Sequence, residues 1–518
     1  MLIVLATYAG VLTADFVMWD DDISIYKNPG LGGLSPERIY WAFTDVASTM
    51  KYIPLTLVAW SAVYSLFGLA PVGYHLAGWI IHGLNAAVLF FVVRKILQLY
   101  DRDKASDTTI AGRQIRLNVS AAAAALVWAL HPLRGDVVAQ ATNLGYCLSM
   151  FFILLSTLFY LKAFAAGNQG NNRTMLFVSV LFYVFSLLSY PLGIACFLIY
   201  FILDFYLLKR TGDEAGWWRT RAARGVLLEK LYFAVPSFLI AALTTAVRIK
   251  SAGVWQPPVP LSQFGLIDRF MQAMYILSYY VWRPFYPAGL SPIYTTLVSF
   301  QPFSEPFVFS ALFFVAAAAA VVYAGRRAPL ASAVFFSYIA MVFPFLGLFE
   351  HPHYPADRYS LLPSVCLSVL ISFLIFLPRG KAFYKLALSA SVAVIVLLAG
   401  LTVNHIKNWR NSETFFSHII KTLGNDPYRQ DIYWRLGKYL YEKNRKNEAA
   451  AAFEKTLAIN PYHATAHTYL AQIAFENNDT AKEAFHLRQL LIADPGDQAV
   501  RAMLSRLEEK AAKGPAGK

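Results

Sequence analysis

The sequence MLIVLATYAGVLTADFVMWDDD, residues 1–22, decides the class of fold. It is an apolar segment that runs directly into three consecutive carboxylates, Asp20, Asp21 and Asp22. Ionised groups placed against a membrane span are costly, so such a cluster indicates a function. The alternative is that these carboxylates only mark a helix end in water.

The composition of the whole chain agrees with a membrane protein. Of 518 residues, 57% are hydrophobic and 15% are charged, and the mean hydropathy is +0.46. This is too apolar for a soluble domain of ordinary charge content. The net charge of +14 therefore does not point to nucleic acid, because most of the chain is expected to lie in lipid.

Windows of about 20 apolar residues predict about eleven membrane spans. The segment Met1 to Met18 lacks the basic start and the small-residue cleavage site of a signal peptide, so we expect a retained anchor. The predicted spans are 1–18, 74–93, 118–131, 137–161, 175–190, 192–208, 231–248, 306–324, 329–348, 360–377 and 386–402.

The basic residues predict the orientation of these spans. Five loops, assigned to the cytoplasm, hold 19 Lys and Arg residues, whereas the opposite loops hold nine. Positive charge is retained on the cytoplasmic side. An odd number of spans then places the carboxylates and everything after residue 403 outside the cytoplasm. The segments 52–69 and 266–285 are expected to lie along the outer interface.

A soluble, repetitive segment follows the last span. Asp426-Pro427, Asn460-Pro461 and Asp494-Pro495 recur every 34 residues. This period, with proline closing each unit, is typical of tetratricopeptide repeats, which are stacked helix pairs. So short an array is either a groove that binds a protein or a structural cap.

Basic residues of the predicted outer loops could bind a phosphate group. The candidates are Arg358, Arg134, Lys51 and Arg283, since guanidinium and ammonium groups suit a lipid phosphate. The alternative for Arg134 and Arg358 is interfacial snorkelling.

One outer loop also carries candidate metal ligands. Glu350, His351 and His353 suit a divalent metal, although His-x-His is not a strong signature.

The order of several motifs resembles one family. The segments Phe16 to Asp22, Asn28-Pro29, Pro71 to Leu76 and His82 to Asn85 are similar to the start of the transmembrane and tetratricopeptide-repeat O-mannosyltransferases, which have the GT-C fold. The likeness continues through His131-Pro132-Leu133, Asp357 to Ser360, Leu362-Pro363, and Asn404 to Arg410. The short repeat array favours a bacterial member.

The resemblance implies transfer of a sugar from a polyprenyl-phosphate carrier to a Ser or Thr hydroxyl on the non-cytoplasmic face. It assigns catalysis to Asp20 and Asp21, and we include Asp22. A carboxylate can take the hydroxyl proton as the new bond forms, and cations can stabilise the leaving phosphate. A single displacement would invert the anomeric centre.

The chain departs from the family at one place. Relatives often carry an acidic residue and then Arg-x-Asp after the His-Pro-Leu turn, whereas here Asp136 is followed by Thr142-Asn143-Leu144-Gly145-Tyr146. A changed sugar or a partly degenerate site would fit this departure.

The predicted fold is therefore all-α, a polytopic membrane helix bundle of GT-C type (1–403) with a C-terminal tetratricopeptide-repeat α-solenoid (404–518). The expected partners are the polyprenyl-phosphate-linked sugar donor, an acceptor protein held by the repeats, and the lipid bilayer. The expected location is the bacterial inner membrane, with the repeats outside the cytoplasm. The alternatives are a transferase that modifies a lipid or envelope glycan, and a non-catalytic scaffold that presents the repeats.

Overall fold

The computed structural model describes residues 1–45, 51–101, 110–165, 172–212, 217–250, 258–377 and 380–512. Helices are the regular secondary structure across these ranges, and they contain no strand. Parts of the predicted cytoplasmic loops and the end of the chain lie outside the described residues.

Fifteen of the described α-helices precede residue 406. They are α1 (Leu2–Tyr8), α2 (Pro36–Thr44), α3 (Pro54–Phe67), α4 (Pro71–Asp101), α5 (Ile110–Ala129), α6 (Gly135–Ala139), α7 (Leu144–Ala163), α8 (Asn172–Ser189), α9 (Phe197–Tyr206), α10 (Arg221–Lys250), α11 (Leu266–Trp282), α12 (Glu305–Ala324), α13 (Pro329–Val342), α14 (Ser364–Phe376) and α15 (Lys381–His405).

Every predicted span overlaps one of these helices. Six described helices are long and apolar enough to cross a membrane, namely α4, α7, α8, α10, α12 and α15 with their adjoining turns. The other predicted spans fall on shorter or less apolar helices. Proline explains part of the shortening of these helices, since Pro191 separates α8 from α9 and cannot continue a helix. An all-α polytopic membrane protein is confirmed, whereas the number of crossings and the interfacial position of α3 and α11 stay predictions.

Serine hydrogen bonds join two of the long helices. Ser149 and Ser156 lie seven residues apart on α7, and their hydroxyls meet those of Ser186 and Ser179 on α8 at 2.9 and 3.2 Å. Small residues let helices approach closely in lipid, where apolar burial gives little attraction between them. These contacts therefore join α7 directly to α8.

The described residues divide into two compact units. Unit 1 contains Met1–Phe16 and Asp20–Trp409, and unit 2 contains Val17–Trp19 and the chain from Arg410 onward. The predicted domains, 1–403 and 404–518, stay a prediction. The helices of unit 2 are α16 (Ser412–Leu423), α17 (Arg429–Glu442), α18 (Lys446–Ile459), α19 (Ala464–Glu476), α20 (Thr480–Ala493) and α21 (Gln498–Ala512).

The predicted helical repeat is confirmed in unit 2. Asn444 ends the turn between α17 and α18, and Asn478, 34 residues later, occupies the same position between α19 and α20. Both have left-handed backbone, with φ of 60° and 57°. Asparagine tolerates this conformation better than most residues. The repeat is therefore present in backbone geometry as well as in sequence.

A close contact inside the first repeat predicts the effect of one substitution. A methyl group added at Gly437 on α17 would lie 2.6 Å from the ring of Phe453 on α18, which is fully buried. We therefore expect Gly437→Ala to lower the free energy of unfolding of the repeats by about 1–3 kcal/mol. Thermal unfolding of the full chain in detergent, followed by circular dichroism, measures this change.

The matched control is Gly400→Ala on α15. Its added methyl group meets nothing within 4 Å, and alanine favours a helix more than glycine does. Equal destabilisation by the two substitutions would contradict the proposed packing.

Candidate functional site

The three consecutive carboxylates begin a tight turn. Asp21 is fully buried and accepts two hydrogen bonds from Thr142, one from its backbone N–H and one from its hydroxyl, both at 2.9 Å. Asp22 is also buried and starts a single π-helical turn, in which the N–H of Lys27 donates to the Asp22 carbonyl at 2.8 Å. Asp20 keeps partial exposure. Such turns often occur at functional sites.

A second carboxylate, Asp136, lies in the first turn of α6 and is buried. The guanidinium of Arg358 lies 3.3 Å from its Oδ2, and the Arg358 backbone N–H donates to the same oxygen at 3.2 Å. The side-chain amide of Asn143 donates to Oδ1 at 3.1 Å. Burial raises the pKa of Asp136, although Arg358 and Asn143 favour its ionised form. The carboxylate therefore has three donors despite its burial.

Arg358 pairs with Asp136 and keeps part of its surface exposed. Its side chain retains 17% exposure, the largest among the three arginines predicted to bind phosphate. Burial opposes its charge, but Asp136 raises the pKa of Arg358 well above its usual value. Tyr359, Tyr146 and Asp20 act in the same direction. The contribution of Asp20 is the smallest of these four, and the pair with Asp136 dominates.

A third carboxylate, Asp357, is held by a tyrosine and an arginine. The Tyr294 hydroxyl donates to Asp357 Oδ1 at 2.7 Å, and Arg283 Nη2 donates to the Tyr294 oxygen at 2.8 Å. Burial and the nearby Asp136 raise the pKa of Asp357, whereas Arg283 and Tyr294 lower it. The resulting pKa is about 7. Asp357 is therefore a buried group that can change its charge near neutral pH.

Arg134 is a buried arginine with two nitrogens that have no hydrogen-bond partner within the described residues. Its Nη2 donates to the Ser360 hydroxyl at 2.6 Å, and its guanidinium carbon lies 5.7 Å from the centre of the Trp128 ring. Its Nε and Nη1 have no partner within the described part of the chain, although the side chain is only 1% exposed. Burial lowers the pKa of Arg134 to about 10, so the residue stays cationic at neutral pH.

The structure brings three of the four predicted phosphate ligands, Arg358, Arg134 and Arg283, to one group of buried carboxylates. Only Arg358 retains appreciable exposure. Lys51 is half-buried three residues before α3 begins. Its part in phosphate binding stays a prediction.

The three candidate metal ligands do not converge. Glu350 Oε2 lies 2.8 Å from Nδ1 of His353, and Glu350 also pairs with Arg248. Burial opposes ionisation, but His353 and Arg248 lower the pKa of Glu350 to about 2. His351 instead stacks on Phe264, with 4.6 Å between ring centres. Within the described ranges no group of three or more His, Cys, Asp or Glu residues could hold a metal ion.

Sequence reasoning missed several residues of this site. Asp357 lies inside a motif that carries the resemblance and Asp136 begins the segment that departs from it, but the sequence assigns neither a role. Thr142 and Asn143 were taken only as a departure from the family pattern, whereas in the structure they hold Asp21 and Asp136. Tyr294 lies in a long loop and carries no recognisable motif.

Comparisons with known proteins place the chain near one group. It is 22% identical to human protein O-mannosyl-transferase TMTC1, over 92% of this chain and 56% of the relative. It is also 22% identical to mouse protein O-mannosyl-transferase TMTC3, over 93% of this chain and 53% of the relative. A protein O-mannosyl-transferase of Caenorhabditis elegans is 21% identical, over 88% of this chain and 61% of the relative.

These matches confirm the resemblance to the transmembrane O-mannosyltransferases. The chain spans about half the length of the curated relatives it matches. No family model and no solved structure matches it. The GT-C fold and a bacterial source therefore stay predictions.

The raised pKa of Asp357 predicts how stability depends on pH. An unfolded aspartate has a pKa of about 3.9, so between about pH 4 and 7 the folded state holds a proton that the unfolded state has lost. Folding stability therefore falls as pH rises through this window. We expect the unfolding temperature of the wild type, relative to Asp357→Asn, to decrease from pH 4.5 to pH 7.5. Parallel thermal scans in detergent measure the difference, and a constant difference contradicts the assignment.

Proposed function

We propose that this chain is a membrane glycosyltransferase that moves a sugar from a polyprenyl-phosphate carrier to Ser or Thr hydroxyls of extracytoplasmic proteins. The names of its relatives support a transferase that acts on proteins, with mannose as the first sugar to test. The observation that carries the proposal is the combination of the acidic turn with Arg358. Thr142 holds Asp21 of the turn. Its neighbour Asn143 holds Asp136, the partner of Arg358, so a base and a cation can serve one site.

Asp20 is the proposed general base. It is the most exposed of the three consecutive carboxylates, whereas both hydrogen bonds from Thr142 hold Asp21 in place. In the proposed step the acceptor hydroxyl gives its proton to Asp20 as its oxygen bonds to the anomeric carbon. The bond from that carbon to the phosphate oxygen breaks, and the polyprenyl phosphate leaves with the electron pair. Asp21 and Asp22 would orient the turn, and this single displacement inverts the anomeric centre.

Arg358 is the proposed ligand of the leaving phosphate. Its partial exposure lets it reach a substrate, and its pair with Asp136 fixes the guanidinium in place beforehand. Preorganised cations stabilise developing negative charge without reorganising during the reaction. Two nitrogens of Arg134, Nε and Nη1, have no partner within the described residues, and Arg283 and Lys51 remain further candidates.

An apolar cavity supports a lipid-linked donor. It lies among α4, α7, α9, α13 and α14, and almost all its surface is apolar. Leu362, which lines it, is four residues beyond Arg358 in the chain. An isoprenoid tail in this cavity could accompany a phosphate at Arg358. Other lining residues include Ile153, Ile199, Val365 and Phe373.

The acceptor protein and the location follow from the same proposal. Stacked helix pairs commonly bind polypeptides, and the charge distribution predicts that the repeats and the acidic turn lie outside the cytoplasm of a bacterial inner membrane. A divalent metal at Glu350, His351 and His353 stays a prediction, and transfer that persists in a chelator would exclude a requirement for it.

The proposed base is tested by Asp20→Asn. We expect transfer to fall by about 10²- to 10⁴-fold, the usual contribution of a positioned general base. The measurement is mass spectrometry of hexose on Ser and Thr residues of extracytoplasmic proteins, in cells that carry the wild type or the variant.

The control is Asp45→Asn, which changes another carboxylate of the same predicted outer loop and should leave the modification intact. Normal protein modification in the Asp20→Asn cells would favour the non-catalytic scaffold. Unmodified proteins together with a modified lipid in wild-type cells would favour a lipid or glycan acceptor.

The proposed lipid site is tested by Val365→Trp, which would fill part of the apolar cavity. We expect the KM for a long-chain polyprenyl-phosphate donor to rise about tenfold, since excluding two methylene groups from apolar surroundings accounts for this factor. Steady-state kinetics in detergent measure the change.

Two comparisons make this test specific. A water-soluble donor with a very short chain should show little change, and Val365→Leu should behave like the wild type with both donors. An equal rise in KM for long-chain and short-chain donors would refute the cavity as the lipid site.

A further inference from the structure

The three residues that precede the acidic turn belong to the repeat unit. Unit 1 ends its first segment at Phe16 and resumes at Asp20, while Val17–Trp19 is part of unit 2. The backbone N–H of Met18 donates to the hydroxyl of Ser412, the first residue of α16, at 2.9 Å. The proposed base therefore follows directly after a segment that the repeats hold.

Trp19 packs against side chains of α16 and α17. Its ring packs edge-to-face on Phe415 with 5.7 Å between ring centres, and Phe416 lies at 6.4 Å. The guanidinium carbon of Arg435 on α17 lies 5.0 Å from the Trp19 ring, and Arg435 is itself paired with Asp431. Edge-to-face aromatic pairs and cations over a tryptophan ring are attractive contacts.

The surroundings of Trp19 are fixed by burial. Phe415 and Phe416 are 1% and 0% exposed, and Ser412 is 1% exposed. Side chains packed this closely cannot shift without opening cavities or clashes. The contacts therefore define the position of the Trp19 ring.

We propose that Trp19 is a positioning residue through which α16 and α17 set the geometry of the acidic turn. Consecutive Cα atoms are only about 3.8 Å apart, so a displaced Trp19 rotates the Asp20 backbone. The Asp20 carbonyl accepts the N–H of Ser24 at 3.0 Å, which carries the same displacement into the turn. The repeats thereby act on the reaction as well as on the acceptor, a role that rests on the proposed function.

The first test needs no enzymatic assay. In the full-length chain, hydrogen exchange of the Ser24 and Lys27 amides reports the opening of the acidic turn, since both amides donate within it. We expect the double substitution Ser412→Ala with Arg435→Gln to accelerate this exchange about tenfold, because it removes one hydrogen bond and one cation–ring contact. The control is Arg488→Gln, which breaks a comparable pair with Glu508 in unit 2.

The second test separates positioning from folding and from acceptor binding. We expect the double substitution to lower kcat about 10- to 100-fold, as small displacements of reacting groups do, with the KM for an acceptor peptide unchanged. Trp19→Phe, which keeps an aromatic ring, should retain more of the kcat than Trp19→Ala. The unfolding temperature of unit 2 in each variant checks that the repeats remain folded.

Each result decides one of the two proposals. Unchanged exchange at Ser24 and Lys27 would refute the coupling, and so would faster exchange with an unchanged kcat. Faster exchange in a chain whose wild type transfers no sugar would support the coupling and refute the proposed function.

Discussion

The pair between buried Asp136 and partly exposed Arg358 is the interaction on which the rest of the site depends. An ionised carboxylate or guanidinium taken out of water loses several kcal/mol of solvation, and removing one member of such a pair costs about 3–5 kcal/mol. The two residues are 222 positions apart, so this pair joins the short helix α6 to the turn before α14. It therefore fixes two predicted outer loops relative to each other before any substrate arrives.

The carboxylates of the site are distinguished by their donors. Asp21 is held by a neutral amide and hydroxyl, Asp136 by a guanidinium, and Asp357 by a tyrosine hydroxyl. Burial raises the pKa of Asp136 and of Asp357, and it is opposed by Arg358 at Asp136 and by Arg283 and Tyr294 at Asp357. Asp20 is the one member of the three consecutive carboxylates that keeps partial exposure. This difference in exposure is the physical reason why Asp20 is the proposed base, whereas the buried carboxylates organise the site.

The sequence predicts the helices of this chain well because their signals are local. Apolar windows of span length coincide with helices, and the 34-residue period reappears in the left-handed turns at Asn444 and Asn478. Arg358 and Arg134 could be selected because charge is conspicuous in an apolar sequence. Thr142 could not be assigned, since a neutral side chain acquires its role only by meeting Asp21, 121 residues away. His351 shows the opposite error: it is two residues from His353, but its ring turns onto Phe264.

The path of the chain brings three residues next to the acidic turn into the repeat unit. A groove that only captured an acceptor could be attached anywhere on the same side of the membrane, since a flexible tether already raises the local concentration of its ligand. Here three residues, Val17–Trp19, are built into the repeat unit immediately before the proposed base. Attachment alone does not require buried aromatic packing around Trp19. A base, by contrast, must be oriented precisely, because it is effective only within hydrogen-bond reach of the proton that it removes. The packing around Trp19 would supply that orientation.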